Sequence, residues 1–215
     1  MSDDLDDLIR RVDPDRWLSS RFVADAARRA DVIAIYAYDH ELARAPRVAS
    51  NPLLGEIRLT WWREALDEIY EGRHIRHHPT AQALAQAVLR RAIPRAPLEA
   101  MIDGRYRELD AAPMTDDEAL TWAQETAGRA AQAVAHVLDP DGPTEPAVDP
   151  AALWALGRRA STQVRGLAGS ARVDAARLGF QAFPAVAHAT LVLTPARSEI
   201  GRRLRVTWAV ARGRI

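Results

Sequence analysis

Apolar residues recur three and four positions apart along almost the whole chain, and this period constrains the fold more than any other feature. Phe22, Ala26, Ala30, Ile33 and Ala37 keep it, as do Ile57, Trp61, Trp62, Ala65, Leu66 and Ile69. Leu84, Val88 and Leu89 repeat it, then Leu98, Met101, Ile102 and Tyr106, then Leu120, Ala123, Ala127, Ala130, Ala131, Val134 and Leu138. Further stripes begin at Leu153, Phe183 and Ile200. Such spacing puts apolar side chains on one face of an α-helix. No segment joins two-residue alternation to β-branched content, so no sheet is expected. Breaks agree with the helices. Asn51-Pro52 precedes the tryptophan-rich stripe and Gly72 follows it. Thr115 with Glu118 three residues later reads as a capping box. The Pro- and Asp-rich stretch 139–150 reads as a linker inside the fold. The expectation is an all-α bundle of about seven to nine helices. It forms a single domain over 13–215, preceded by a mobile acidic segment, 1–12.

The chain has no cysteine and no lysine, so all 29 basic residues are arginine. This excludes disulfides, thiolate nucleophiles, Cys-type zinc sites, a lysine Schiff base and a Walker-type phosphate loop. The zero net charge hides a division. Residues 151–215 carry 11 arginines against two acids, Asp174 and Glu199, and residues 1–150 carry the opposite excess. A basic third can meet a membrane surface, an acidic partner or a phosphate-bearing ligand, or it can balance the acidic part internally. Nothing marks a nucleic-acid surface. The first residues are acidic, unlike the start of a signal peptide. The most apolar stretch, 181–193, is too short to span a bilayer. A cytoplasmic protein is expected, with peripheral contact on the inner face of the membrane left open.

Candidate chemistry is sparse. Asp3, Asp4, Asp6 and Asp7, and Asp116, Asp117 and Glu118, are acidic clusters, but the second suits the first turn of a helix. His74, His77 and His78 fall in a turn without a third metal ligand nearby. Gly166 and Gly169 read as a helix end or a close helix contact. In GEIRLTWWREA, residues 55–65, adjacent tryptophans point about 100° apart on a helix. Either both are core residues with arginines stacked on them, or one enters the core and the other lines a groove. The last helix, 197–215, is basic and amphipathic; it either closes the bundle through Trp208 or lies on an anionic membrane surface.

Five segments together resemble the squalene/phytoene synthase family: ADVIAIYAYDHELAR (30–44), NPLLGEIRLTWWREALDEIYEG (51–72), HPTAQAL (78–84), MIDGRYREL (101–109) and ETAGRAAQAVAHVL (125–138). The resemblance implies an all-α isoprenoid-synthase fold around a central cavity. Active members condense two prenyl diphosphates head to head. Facing aspartate-rich segments hold magnesium ions that neutralise the leaving diphosphate. This chain departs at both segments. The first acidic motif would fall at about 43–47, which reads Ala43, Arg44, Ala45, Pro46, Arg47. The second is matched to 163–170, where Arg165 remains and no acid does. The middle helix offers Glu108 where the family has aspartate.

Glu41-Leu42-Ala43 followed by PLLGEIRLTWWR (52–63) looks like a non-enzymatic branch of the family, whose best-known members are mitochondrial assembly factors of respiratory complex I. The resemblance then implies a binding protein with no catalytic residue and no cofactor, whose partners are complex I subunits or an isoprenoid or lipid ligand. Tyr36, Arg44, Arg47, Arg58, Trp62, Glu108 and Arg165 are the candidate pocket residues. Guanidinium groups can grip a diphosphate without metal. The alternative is an active prenyltransferase with an unconventional magnesium site.

Overall fold

A computed structural model describes residues 2–47 and 51–215. Its α-helices are α1 (Ser2–Val12), α2 (Pro14–Ser20), α3 (Ala26–Arg47), α4 (Pro52–Tyr70), α5 (Pro79–Arg91) and α6 (Arg95–Tyr106). They continue as α7 (Asp116–Ala123), α8 (Arg129–Leu138), α9 (Val148–Arg158), α10 (Val164–Ala175), α11 (Thr190–Leu193) and α12 (Glu199–Arg212). Among the described residues there is no strand. The protein is all-helical. It has more helices than the stripes suggest, because α1, α2 and α10 add to them.

The core forms around α3, which packs against α1, α4, α5, α6 and α8. Residues 31–39 of α3 are buried all round the helix. An apolar run of this kind belongs at the centre of a bundle. Two charged residues, Asp31 and Asp39, lie within that run, and each therefore needs partners. Arg90 and Arg91 of α5 supply them to Asp31, at 2.9 and 2.7 Å.

Helix starts follow side-chain chemistry. Asp13 caps α2, Asn51 caps α4 and Ser198 caps α12, each accepting from a backbone N–H. Thr115 and Glu118 form the expected capping box of α7. Between α7 and α8 the helix widens into a π turn, Gln124–Gly128. Close approach dictates the glycines here. A Cβ on Gly104 would stand 2.9 Å from Thr126 Cγ2, and one on Gly128 would stand 2.8 Å from Val148 Cγ1.

Three expectations need correction. Residues 2–12, expected to be mobile, are helix α1, because Leu5 and Ile9 insert into the core against α3. Asp6 there accepts hydrogen bonds from Trp17 and Arg21, and Asp7 pairs with Arg10; the Asp3 side chain lies outside the described residues. The linker expected over 139–150 is irregular only to Thr144; Glu145–Ala147 is a 3-10 turn that leads into α9. Pro146 and Pro150 stand within first turns, where a missing N–H costs nothing. The stripe from Phe183 becomes two 3-10 turns, Phe183–Ala185 and Ala187–Ala189, ahead of the short α11, and its residues 182–190 are buried on every side.

Candidate functional site

A pocket of about 430 Å³ opens where α2, α3, α6, the π turn and α9 converge. Its floor is a chain of buried ion pairs. Asp13, at the start of α2, accepts from Arg16 Nε at 2.5 Å. Arg16 Nη2 reaches Asp39 of α3 at 2.7 Å. The other oxygen of Asp39 takes Arg105 Nη2 of α6 at 2.6 Å. Arg105 Nη1 then meets Glu108 at 2.6 Å, and Trp122 Nε1 donates to the same Glu108 oxygen at 2.8 Å.

Burial makes these pairs obligatory. Arg16, Asp39 and Arg105 are 6%, 3% and 4% exposed. Burial alone lowers the pKa of Arg16, but Asp13 and Asp39 more than reverse this and raise it. Burial alone raises the pKa of Asp39, yet Arg16 and Arg105 hold it well below the ordinary carboxylate value. All three pocket carboxylates therefore face guanidinium. The Arg16 plane also lies 4.9 Å from the centres of the Tyr36 and Trp154 rings.

The lining carries five arginines against three carboxylates, a surplus of positive charge. Arg47 of α3 is exposed at the rim. Arg158 and Arg159, at the end of α9, stand on Trp154 and Trp122, 5.0 and 4.5 Å from the ring centres. Arg158 also approaches Asp13 at 3.5 Å. Arg16 Nη1 is buried in this wall without a hydrogen-bond partner.

The candidates read from sequence do not converge on one place. Arg47 and Glu108 line the pocket, and Tyr36 lies buried beneath Arg16. Arg44, Arg58 and Trp62 line a second hollow of about 440 Å³ between α3 and α4. There Arg44 pairs with Glu41, and Trp62 is buried edge-on against Tyr38, 5.3 Å between ring centres. Trp61 is half-buried, with the Arg76 guanidinium 4.5 Å from its centre. Arg165 is exposed on α10 and belongs to neither hollow.

The pocket that Ala43 and Arg47 line takes residues of α9 and none of the stretch 163–170. Sequence reasoning missed Asp13, Arg16, Asp39, Arg105, Arg158 and Arg159. A signal existed for Asp39, since a carboxylate inside an otherwise apolar helical run must be paired.

The family model for squalene/phytoene synthase matches residues 9–162. The chain belongs to the squalene/phytoene synthase family. Its similar curated relatives include NADH dehydrogenase (ubiquinone) complex I, assembly factor 6, of Bos taurus, 31% identical over 104 residues. The human protein of that name is 30% identical over 104 residues, and the one from Rattus norvegicus 31% over 105. Each match covers 48% of this chain and 31% of the relative, so the chain aligns with about a third of their length.

A squalene/phytoene synthase condensing prenyl diphosphates would need carboxylates free to hold magnesium. The donor set here does not fit. Asp13, Asp39 and Glu108 are each bound to arginine, and among the described residues no group of three potential metal ligands comes together. The family match ends at 162, which also places 163–170 beyond it.

Proposed function

We propose that this chain acts by binding rather than by catalysis, in the assembly of respiratory complex I. One observation carries the reading: every carboxylate of the pocket is neutralised by a neighbouring guanidinium. A diphosphate leaving group would find cations there but no metal-holding oxygens. The relatives named as complex I assembly factor 6 supply the direction. In this reading the pocket is the family's central cavity. Arg47, Arg158 and Arg159 hold the phosphate of an isoprenoid or lipid directly, by charge-assisted hydrogen bonds. The protein works on the cytoplasmic side, at the inner face of the membrane.

Two measurements test this. Deleting the gene is expected to lower assembled complex I on native gels of membranes; normal levels remove the assembly role. Incubation with farnesyl or geranylgeranyl diphosphate and magnesium is expected to release no more pyrophosphate than an Arg47→Ala/Arg159→Ala control. Release well above that control means prenyl transfer instead.

A further inference from the structure

Helix α12 is apolar on two opposite sides. Val206, Ala209 and Val210 face the core, and Arg202 on that side is paired with Asp15 of α2. On the other side Ile200, Leu204 and Trp208 form one stripe, 72%, 64% and 59% exposed. A surface helix normally turns polar residues outward. Here the largest apolar side chains of the helix point to solvent.

Arginine borders the stripe on both sides. At 100° per residue, Arg203 lies about 100° to one side of its centre, and Arg205 and Arg212 lie about 80–100° to the other. Arg203 pairs with Glu199 at 3.1 Å. Arg205 and Arg212, with Arg197 and Arg214 just beyond the helix, have no carboxylate partner among the described residues. The Arg212 guanidinium lies 4.1 Å from the centre of the Trp208 ring.

We propose that this face of α12 docks on an anionic lipid surface. The helix lies in the plane of the interface. Ile200, Leu204 and Trp208 enter the boundary of headgroups and acyl chains, and the flanking arginines meet lipid phosphates. Charge complementarity selects this occupant, because anionic lipids attract such flanks and tryptophan favours the interface. A stripe of three side chains is narrow for a stable protein interface, which buries about 1,200 Å² or more. A bilayer demands no such matched surface. No described helix is long and apolar enough to cross a membrane, so the contact is at the surface. The inference does not depend on what the pocket binds.

Flotation with vesicles tests it. The whole chain is expected to float with phosphatidylcholine–phosphatidylglycerol vesicles, not with phosphatidylcholine alone, and to be released by high salt. Leu204→Glu/Trp208→Glu and, separately, Arg205→Gln/Arg212→Gln are expected to weaken binding at least tenfold. Leu204, Trp208 and Arg212 are exposed and Arg205 is half-buried, and an unchanged far-ultraviolet circular dichroism spectrum checks the fold. Absence of flotation with the anionic vesicles overturns the proposal, as does equal binding by the variants. So does a dimer in light scattering that Leu204→Glu/Trp208→Glu dissociates, since a second copy then covers the stripe.

Discussion

Arg105 and Asp39 meet at 2.6 Å across 66 residues of sequence, and both side chains are buried. Their contact ties α6 to α3 at the floor of the pocket. Arg16 claims the other oxygen of Asp39, so one carboxylate joins three helices. Replacing Asp39 with alanine leaves two buried guanidinium groups short of a counter-charge. Breaking a buried pair in this way costs about 3–5 kcal/mol. Urea denaturation of Asp39→Ala is expected to show a loss of that size; a change no larger than a surface substitution gives would contradict the network.

His188 supplies a pH dependence. It is buried edge-on against Trp154, 4.9 Å between ring centres, and neither ring nitrogen has a hydrogen-bond partner. Burial, then the charges of Arg16 and Arg158, hold its pKa well below the ordinary 6.5. The unfolded chain takes up this proton near pH 6.5 and the folded chain does not, so the unfolded state binds more protons below that value. Stability from this residue is complete above that pH and falls as the pH drops below it. The urea midpoint is expected to decline toward pH 5 or so, and His188→Leu is expected to flatten the decline.

Two glycines should respond to alanine with opposite signs. Gly169 sits within α10, and a Cβ added there would meet nothing within 4 Å, so it is neither a helix end nor a close contact. Gly169→Ala is expected to stabilise by about 0.5–1 kcal/mol. Gly104→Ala forces its Cβ against Thr126 and Glu125, at 2.9 and 3.1 Å, and is expected to destabilise. Thermal melting of both variants checks the pair.

The pocket should take anions without metal. Pyrophosphate in the presence of a chelator is expected to raise the melting temperature of the native chain. Arg158→Ala/Arg159→Ala is expected to weaken that binding about tenfold or more, since charge-assisted hydrogen bonds contribute about 1.5–3 kcal/mol each. An equal rise in the double variant would place the anion elsewhere.

The apolar period determined much by itself. It located most of the long helices and the buried residues of α4 from Trp62 to Ile69, because side-chain direction in a helix follows from position alone, but Ile57 and the stripe of α12 face solvent. Local chemistry likewise fixed the start of α7, where Thr115 and Glu118 satisfy each other within one turn. The all-helical class and the missing acids at 43–47 were equally legible. Only tertiary structure decided the site. The Asp13–Arg16 pair, Asp39 and Arg105 come from three places in the chain, and nothing in the distances of 23 and 66 residues announces that they meet. It also separated Arg44 and Arg58 from Arg47, placed Arg165 outside both hollows, and brought α9 into the pocket lining. The physical reason is that a buried charge is defined by its partners, and the way helices pack, not sequence distance, decides which partners are within reach.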